Sequence, residues 1–151
     1  MTSNHSDSNP DNLLNTLADF RFELRRFLHF SEAAALEARL QPQQHQLLLQ
    51  VAGAPNPAAV TIAYAAARLE IKHNSAVELV DRSEREGLLE RTADPDDKRR
   101  AILCMTRKGR QVLSRLASDH ARELNEMAPR LIDALDLVRT HAGAAARMEA
   151  E

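Results

Sequence analysis

Six cationic side chains lie between residues 98 and 110, and no acidic residue separates them. They are Lys98, Arg99, Arg100, Arg107, Lys108 and Arg110. Cationic groups at this density bind phosphate oxygens, and arginine is favoured in a narrow DNA minor groove because the potential there is negative. Just before them, Pro95 stands among Asp94, Asp96 and Asp97, which indicates a tight polar turn. The segment therefore predicts a basic turn that contacts a phosphate backbone.

A second polar segment begins a predicted short helix. Asn74 can form two hydrogen bonds with adenine, Ser75 can donate or accept, and Lys72 and His73 can contact guanine or phosphate. Side chains at the N-terminal end of a recognition helix are the ones that reach base edges in the major groove. On residue types alone, a solvated helix face of mixed charge is an equally good interpretation. The candidate DNA-binding residues of both segments are Lys72, His73, Asn74, Ser75, Glu78, Arg82, Asp97, Lys98, Arg99 and Arg100.

The spacing of apolar residues predicts the elements that position these two segments. Steps of three and four residues predict a long helix over about residues 13–40 and a second helix over residues 43–52. Residues 58–69 and 71–86 predict two short helices joined by a tight connection, which is the arrangement of a helix-turn-helix. Gly87 is predicted to end the second of them.

A hairpin and further helices are predicted downstream. Residues 88–92 and 101–105 are predicted to be two strands on either side of the polar turn. Thr106 is the predicted N-cap of a helix that Pro129 breaks and restarts, and the tail from Gly143 is predicted to fray. The predicted fold class is mainly α with a small β-hairpin.

Length and composition limit the class of protein. A chain of 151 residues with 44% hydrophobic residues and four glycines suits one mainly helical domain. Its net charge of −2 argues against a uniformly basic, histone-like protein. The single cysteine, Cys104, excludes an intrachain disulfide and is expected to be a small buried hydrophobic residue. The N-terminal residues lack the features of a signal peptide and no apolar run could span a bilayer, so the cytoplasm is the expected compartment.

Residues 97–99 (Asp-Lys-Arg) have the pattern D-x-R, and Thr106 and Gly109 fit the pattern L-T-x-x-G, with Met105 at the leucine position. With these motifs, which belong to the wing of the family, residues 75–109 resemble the MarR family of bacterial transcriptional regulators. The order of the predicted helices extends the resemblance over nearly the whole chain. It implies a winged helix-turn-helix with long N- and C-terminal dimerisation helices.

Three positions depart from the family pattern. Ala65 stands where leucine is frequent, Glu70 where a turn glycine is common, and Lys72 where serine or threonine often caps the recognition helix. By the resemblance, Arg99 is the wing arginine and Asp97 holds the wing tip in shape. The departures are expected to alter how the recognition helix begins, and they leave the wing unchanged.

The resemblance also implies a domain organisation and a function. A disordered tail over residues 1–11 would precede one domain over residues 12–151, with a DNA-binding lobe at about 43–110 and dimerisation helices at about 12–40 and 106–148. The expected function is a sequence-specific DNA-binding regulator, a repressor that binds a pseudo-palindromic operator as a homodimer. A small lipophilic or phenolic effector is expected to modulate its DNA affinity, in a pocket lined by Phe20, Leu24, Phe27, His29 and Tyr64. The alternative for these five residues is an ordinary core.

Other classes of function find little support. The chain has no glycine-rich phosphate loop, nucleophile elbow or H-E-x-x-H motif, so no enzyme, cofactor or metal site is expected. His120 and Glu123 lie one helical turn apart without a further metal ligand nearby in the sequence. A winged-helix module that binds protein instead of DNA is the alternative, and the basic wing argues against it.

Overall fold

The computed structural model describes residues 10–149, which form five helices and one two-stranded sheet. Residues 1–9 of the predicted tail lie outside the described residues. Residues 10 and 11, which were also assigned to the tail, already belong to the first helix, which begins at Pro10. A 3₁₀ turn at Pro57–Ala59 precedes the third helix. The elements are α1 (Pro10–Glu37), α2 (Pro42–Ala52), α3 (Ile62–Leu69), α4 (His73–Arg85), β1 (Leu89–Ala93), β2 (Ala101–Met105) and α5 (Arg107–Glu149).

The third helix is shorter than the prediction over residues 58–69. The Asn56 side chain accepts a hydrogen bond from the Ala58 N–H and holds the preceding 3₁₀ turn (3.2 Å). Thr61 then adopts an extended conformation, and its Oγ1 accepts from the Tyr64 N–H as the N-cap of α3 (3.1 Å). Capping by the threonine hydroxyl therefore decides where the helix begins, and the helix-forming alanines before it stay outside.

The C-terminal helix is longer than predicted, because α5 continues through both Pro129 and Gly143. A proline inside a helix costs about 3 kcal/mol and a glycine about 1 kcal/mol relative to alanine. Buried Met127 and Ala134 lie on either side of Pro129 and pack this part of the helix. Such packing, together with neighbours that favour helix, outweighs the missing N–H. The prediction of a helix break at Pro129 and of fraying from Gly143 is wrong.

Contacts divide the described chain into two compact units. The central unit comprises residues 31–119, and the terminal unit comprises residues 10–30 together with 120–149. The central unit contains the end of α1, the elements from α2 to β2 and the start of α5. Its core is apolar and closed to solvent; the most deeply buried side chains include Leu47, Leu48, Val80, Leu88 and Leu89.

The terminal unit is formed by parts of two helices, and most of its large apolar side chains are exposed. Its described buried residues are Thr16, Met127 and Ala134. Arg130 forms two hydrogen bonds with Glu23, at 2.9 and 3.2 Å, and this carboxylate raises the pKa of Arg130. Its exposed large hydrophobic residues are Leu14, Leu17, Phe22, Leu24, Leu28, Leu124, Ile132, Leu135 and Leu137. Within residues 10–149, none of the helices has an apolar stretch long enough to cross a bilayer.

Candidate nucleic-acid interface

The turn between α3 and α4 depends on Glu70, which adopts the left-handed conformation (φ 53°). Across this turn, the Ile71 N–H donates to the Ala66 carbonyl (3.1 Å). A residue with a side chain costs about 1 kcal/mol or more in this conformation, which glycine adopts freely. Glu70, which stands where a turn glycine is common, therefore keeps the geometry of a glycine turn, and the turn stores some strain.

Helix α4 begins at His73 without a side-chain cap. Lys72 is the N-cap residue and is extended (φ −65°, ψ 149°), but its side chain makes no capping hydrogen bond. A serine or threonine here would satisfy one of the first backbone N–H groups of the helix. Residues 73–75 of this first turn are exposed, so a phosphate oxygen could accept from their backbone N–H groups.

Helix α4 separates an apolar face from a polar one. Ala76, Leu79, Val80 and Ser83 are buried against the core of the central unit. All six residues predicted to contact DNA from this helix and its N-cap are exposed, and none of their side chains has an ion pair or hydrogen bond within the described residues. They are Lys72, His73, Asn74, Ser75, Glu78 and Arg82.

The junction between α4, the hairpin and α5 gives the T-x-x-G motif a structural role. Gly87 has φ 71°, and the Leu88 N–H donates to the Ser83 carbonyl, which closes the end of α4 (2.9 Å). Thr106 Oγ1 donates to the Gly87 carbonyl (2.6 Å) and accepts from the Gly109 N–H (3.0 Å). A Cβ atom at Gly109 would lie 2.0 Å from the Leu88 carbonyl oxygen. Only glycine therefore lets α5 begin this close to the hairpin.

Strands β1 and β2 form an antiparallel hairpin that is anchored at its base. Leu89 lies opposite Met105, and both side chains are buried. The Leu103 N–H also donates to the Val60 carbonyl (2.7 Å), which ties β2 to the segment before α3. The base is fixed in the core, and residues 94–100 form the tip.

Two aspartates shape the tip of the hairpin. Asp94 is only 5% exposed; its Oδ1 accepts from the Asp96 N–H (2.9 Å) and its Oδ2 from Arg100 Nη2 (2.9 Å). The Asp96 N–H and the Arg100 guanidinium stabilise the carboxylate and lower the pKa of Asp94 below its ordinary value. Asp97 Oδ1 accepts from the Arg99 N–H (3.0 Å). The Arg99 side chain is 92% exposed on this fixed backbone.

Arg91 joins the hairpin to helix α4. Its Nη1 donates to Glu84 Oε1 and its backbone N–H to Glu84 Oε2, both at 2.9 Å. Its Nη2 donates to Asp81. The hydrogen bond to Asp81 and the charges of both carboxylates raise the pKa of Arg91. One guanidinium thus fixes the position of β1 relative to α4.

Sequence reasoning missed two of these residues, Arg91 and Asp94. Asp94 was visible as an aspartate followed by proline, a pattern in which the carboxylate accepts from the N–H two residues on. Two acids of α4, Asp81 and Glu84, are paired with Arg91, and Glu86, which follows the helix, accepts from Gln44 Nε2 (2.9 Å).

The residues predicted to line an effector pocket are Phe20, Leu24, Phe27, His29 and Tyr64. Phe20 lines a cleft of about 440 Å³ in the terminal unit, where Leu24 and His29 are exposed. Phe27 packs edge-on against a histidine ring of the same unit (5.8 Å between centroids). Tyr64 belongs to the central unit and packs against its core. Their role in effector binding stays a prediction.

His120 and Cys104 are explained by their neighbours. The His120 ring lies edge-on to Phe27 and Phe30, with centroids 5.8 and 5.2 Å away, so it is part of an aromatic cluster. Cys104 is half-buried in β2, and its Sγ lies 3.6 Å from Thr92 Oγ1. Cys104 was expected to be buried, and it is more exposed than that.

A helix-turn-helix followed by an antiparallel hairpin and a long helix defines a winged helix-turn-helix protein, with the hairpin as the wing. Comparison with known proteins agrees with this class. Residues 40–100 match the model of the MarR family. A putative transcriptional regulatory protein for the hcr operon of Thauera aromatica is 30% identical over 118 residues, which cover 75% of this chain and 69% of that protein. The chain belongs to the MarR family of transcription regulators.

Solved structures share the fold at lower sequence identity. MepR of S. aureus, in a complex with DNA, superposes with a TM-score of 0.66 at 16% identity, covering 87% of this chain and 95% of MepR. CouR of Rhodococcus jostii RHA1, bound to p-coumaroyl-CoA, gives a TM-score of 0.60 at 20% identity, covering 85% of this chain and 90% of CouR. The resemblance predicted from residues 75–109, and the predicted fold class, are confirmed.

Proposed function

We propose that this regulator binds specific duplex DNA through α4 and the wing. The observation that carries the proposal is that two surfaces occur together. One is a polar face of α4 whose side chains have no partner within the described residues, and the other is a basic wing tip with a fixed backbone. Asn74 and Ser75 stand in the first turn of α4, where side chains reach base edges. Arg99 extends from a tip that Asp94 and Asp97 hold in shape, as an arginine entering a minor groove requires.

The remaining proposed contacts divide by chemistry. Lys98 and Arg100 add positive charge at the tip, although Arg100 is already paired with Asp94. Lys72, His73 and Arg82 are exposed cations or potential cations that suit phosphate oxygens, and they add affinity without sequence information. Glu78 is suited to accept from a cytosine amino group.

The exposed apolar face of the terminal unit supports a homodimer. Nine large hydrophobic residues are exposed there, and contiguous exposed apolar surface marks interfaces in proteins of this size. In the proposed organisation, helices over about residues 12–40 and 106–148 dimerise, and a lobe over about residues 43–110 binds DNA. A symmetric dimer presents two copies of α4 and reads a pseudo-palindromic operator.

We further propose that the regulator is a repressor in the cytoplasm whose DNA affinity a small effector modulates. A dimer bound over a promoter blocks polymerase, and an effector that binds the DNA-free form better releases the block. The fold shared with CouR, which was solved with p-coumaroyl-CoA, supports an aromatic effector.

An electrophoretic mobility shift with the DNA upstream of the protein's own gene tests DNA binding. We expect a discrete band that survives an excess of random duplex and that Arg99→Ala weakens at least tenfold, with circular dichroism unchanged. The matched control is Arg85→Ala, which removes an exposed arginine of α4 outside the proposed interface. Equal affinity for every duplex, or no binding at low salt, would favour the protein-binding winged-helix module instead.

A further inference from the structure

Helix α1 carries an exposed apolar stripe in the terminal unit. Leu14, Leu17, Leu24 and Leu28 are between 39% and 64% exposed. With Arg21 they follow one another at steps of three, four, three and four residues. This is the spacing of the a and d positions of a coiled coil, which lie on one side of a helix and pack against a second helix. Within residues 10–149 the stripe stays exposed, so its partner helix is missing from the single chain.

Arg21 interrupts this stripe at its centre. The residues one helical turn away are Leu17, Ala18, Leu24 and Arg25, so α1 offers no neighbouring carboxylate. Accordingly, Arg21 forms no hydrogen bond or ion pair within the part of the chain that the structure describes. A charge that is covered without a partner is strongly destabilising. If another helix covers the stripe, that partner has to supply a carboxylate for Arg21.

A cleft between α1 and α5 in the same unit has the opposite charge. Its volume is about 440 Å³, and its charged lining residues are Asp19, Glu23, Arg130 and Asp133. Glu23 accepts both hydrogen bonds of Arg130, at 2.9 and 3.2 Å, so these two charges balance. Asp19 and Asp133 have no hydrogen bond or ion pair within the described residues. The cleft therefore keeps two uncompensated carboxylates and is suited to a cation.

The cleft is continuous with the apolar face proposed to form the dimer. Phe22 and Leu137 line the cleft and are 59% and 46% exposed, and both belong to the nine exposed hydrophobic residues of the terminal unit. A second copy that covers this face therefore also meets the cleft. That copy brings a stripe whose central cation has no partner in its own chain, so the two surfaces are complementary in charge.

We infer that Arg21 of each copy enters the cleft of the other copy and pairs there with Asp19 and Asp133. The inference rests on the proposed homodimer and adds the contact that selects its partner. Two-fold symmetry makes the contact occur twice. The leucines provide non-directional apolar contact, while the charge pair decides which helices associate. A helix with the same apolar stripe and no cation at this position would leave both carboxylates covered and unpaired.

Charge reversal on either side tests the contact. Arg21→Glu places a carboxylate against Asp19 and Asp133, and Asp133→Lys places an ammonium against Arg21. Each change affects two equivalent contacts, so each should raise the dimer dissociation constant about a hundredfold or more in sedimentation velocity. All these side chains are exposed in the single chain, so the fold should be unchanged in circular dichroism. The matched control, Arg85→Glu on exposed α4, should change the constant by less than about threefold.

An equimolar mixture of the two variants distinguishes a contact between copies from one within a chain. In the mixed dimer, the introduced glutamate of one copy faces the introduced lysine of the other, and the second contact is that of the wild type. The mixture should therefore dimerise at least about tenfold more tightly than either variant alone. Native mass spectrometry should show the mixed dimer as the main dimeric species.

The outcomes separate this inference from the proposed function. A wild-type chain that stays monomeric would refute the proposed homodimer and the inference together. A wild-type dimer whose dissociation constant neither reversal changes, or a mixture that dimerises no better than its components, would overturn the inference alone.

Discussion

The two units of this chain bury their apolar residues in different ways. The central unit closes a core around Leu47, Leu48, Val80 and Leu89, and exposes only Leu36 and Leu49 among its large hydrophobic residues described here. The terminal unit exposes nine such residues and buries few. The comparison indicates that the central unit is stabilised by its own core, whereas the terminal unit leaves exposed the apolar face through which we propose that two copies of the chain associate.

This difference matches a division of function. A closed core can hold α4 and the wing in fixed geometry, which base recognition requires. An exposed apolar face is instead suited to association, because it gains stability only when another surface covers it. The predictions below change one unit at a time, and each compares the change with a second variant.

The largest effect is expected from a charge on the apolar face of the terminal unit. Ile132 is 56% exposed within one chain and would be covered in a dimer. Ile132→Asp would place two carboxylates in a symmetric interface, at a cost of about 4 kcal/mol or more, and should raise the dimer dissociation constant about a thousandfold. Sedimentation velocity over a concentration series measures this. Glu126→Lys, which changes an exposed side chain of α5 about 120° around the helix from Ile132, should leave the dimer intact; an unchanged Ile132→Asp dimer would refute the interface.

A core truncation in the central unit should lower stability by about 3 kcal/mol. Leu47 is fully buried, and Leu47→Ala leaves a cavity that neighbours fill only in part. Leu49 lies in the same helix and is 42% exposed, so Leu49→Ala should cost less than about 1 kcal/mol. Urea unfolding followed by circular dichroism compares the two variants. Equal losses would mean that the central unit is not closed as described.

Loss of the link between α4 and the wing should affect DNA binding more than stability. Arg91→Gln removes the ion pairs to Asp81 and Glu84, which are partly exposed and so contribute about 1 kcal/mol to folding. DNA affinity should fall about tenfold, because the wing is no longer fixed relative to α4. Fluorescence anisotropy with labelled duplex measures this. The double variant with Glu84→Gln should lose little more than Arg91→Gln alone; additive losses would show that the pair does not act as a unit.

The smallest effect is expected from the pH dependence of the wing tip. The pKa of Asp94 is lowered from its ordinary value of 3.8, so its charged form stabilises the folded tip. This contribution is complete at neutral pH and is lost as the pH falls below about 3.8 through the folded value. The amide resonance of Asp96, whose N–H donates to Asp94, should report the change in an NMR titration. Asp94→Asn should abolish the transition, while Asp97→Asn should retain it.

Local signals in the sequence accounted for much of the fold. Gly87, Thr106 and the apolar run in residues 101–105 act through neighbours close in the chain, so they placed the end of α4, the start of α5 and strand β2 correctly. Pro129 misled the prediction because local propensity opposes a helix there, while the packing that outweighs it comes from outside the local sequence.

The residue types of the candidate site could be predicted, but the contacts that hold these residues in place could not. The exposed residues of α4 and Arg99 could be proposed from residue type and position together with the resemblance to the MarR family. The contact of Arg91 with Asp81 and Glu84 joins a strand to a helix, and no spacing rule relates the three residues. Glu70 is a similar case, because a glutamate in a left-handed turn is held there by the surrounding structure.

Hydroxyl-radical footprinting of the complex with its shifted DNA fragment tests the central claim most directly. If terminal units dimerise so that two central units bind DNA, the wild-type chain should protect two equal half-sites related by a two-fold axis, one helical turn or a multiple of it apart. Arg99→Ala should lose the protection that flanks each half-site. A single protected half-site, or a footprint that Arg99→Ala leaves unchanged, would contradict the account.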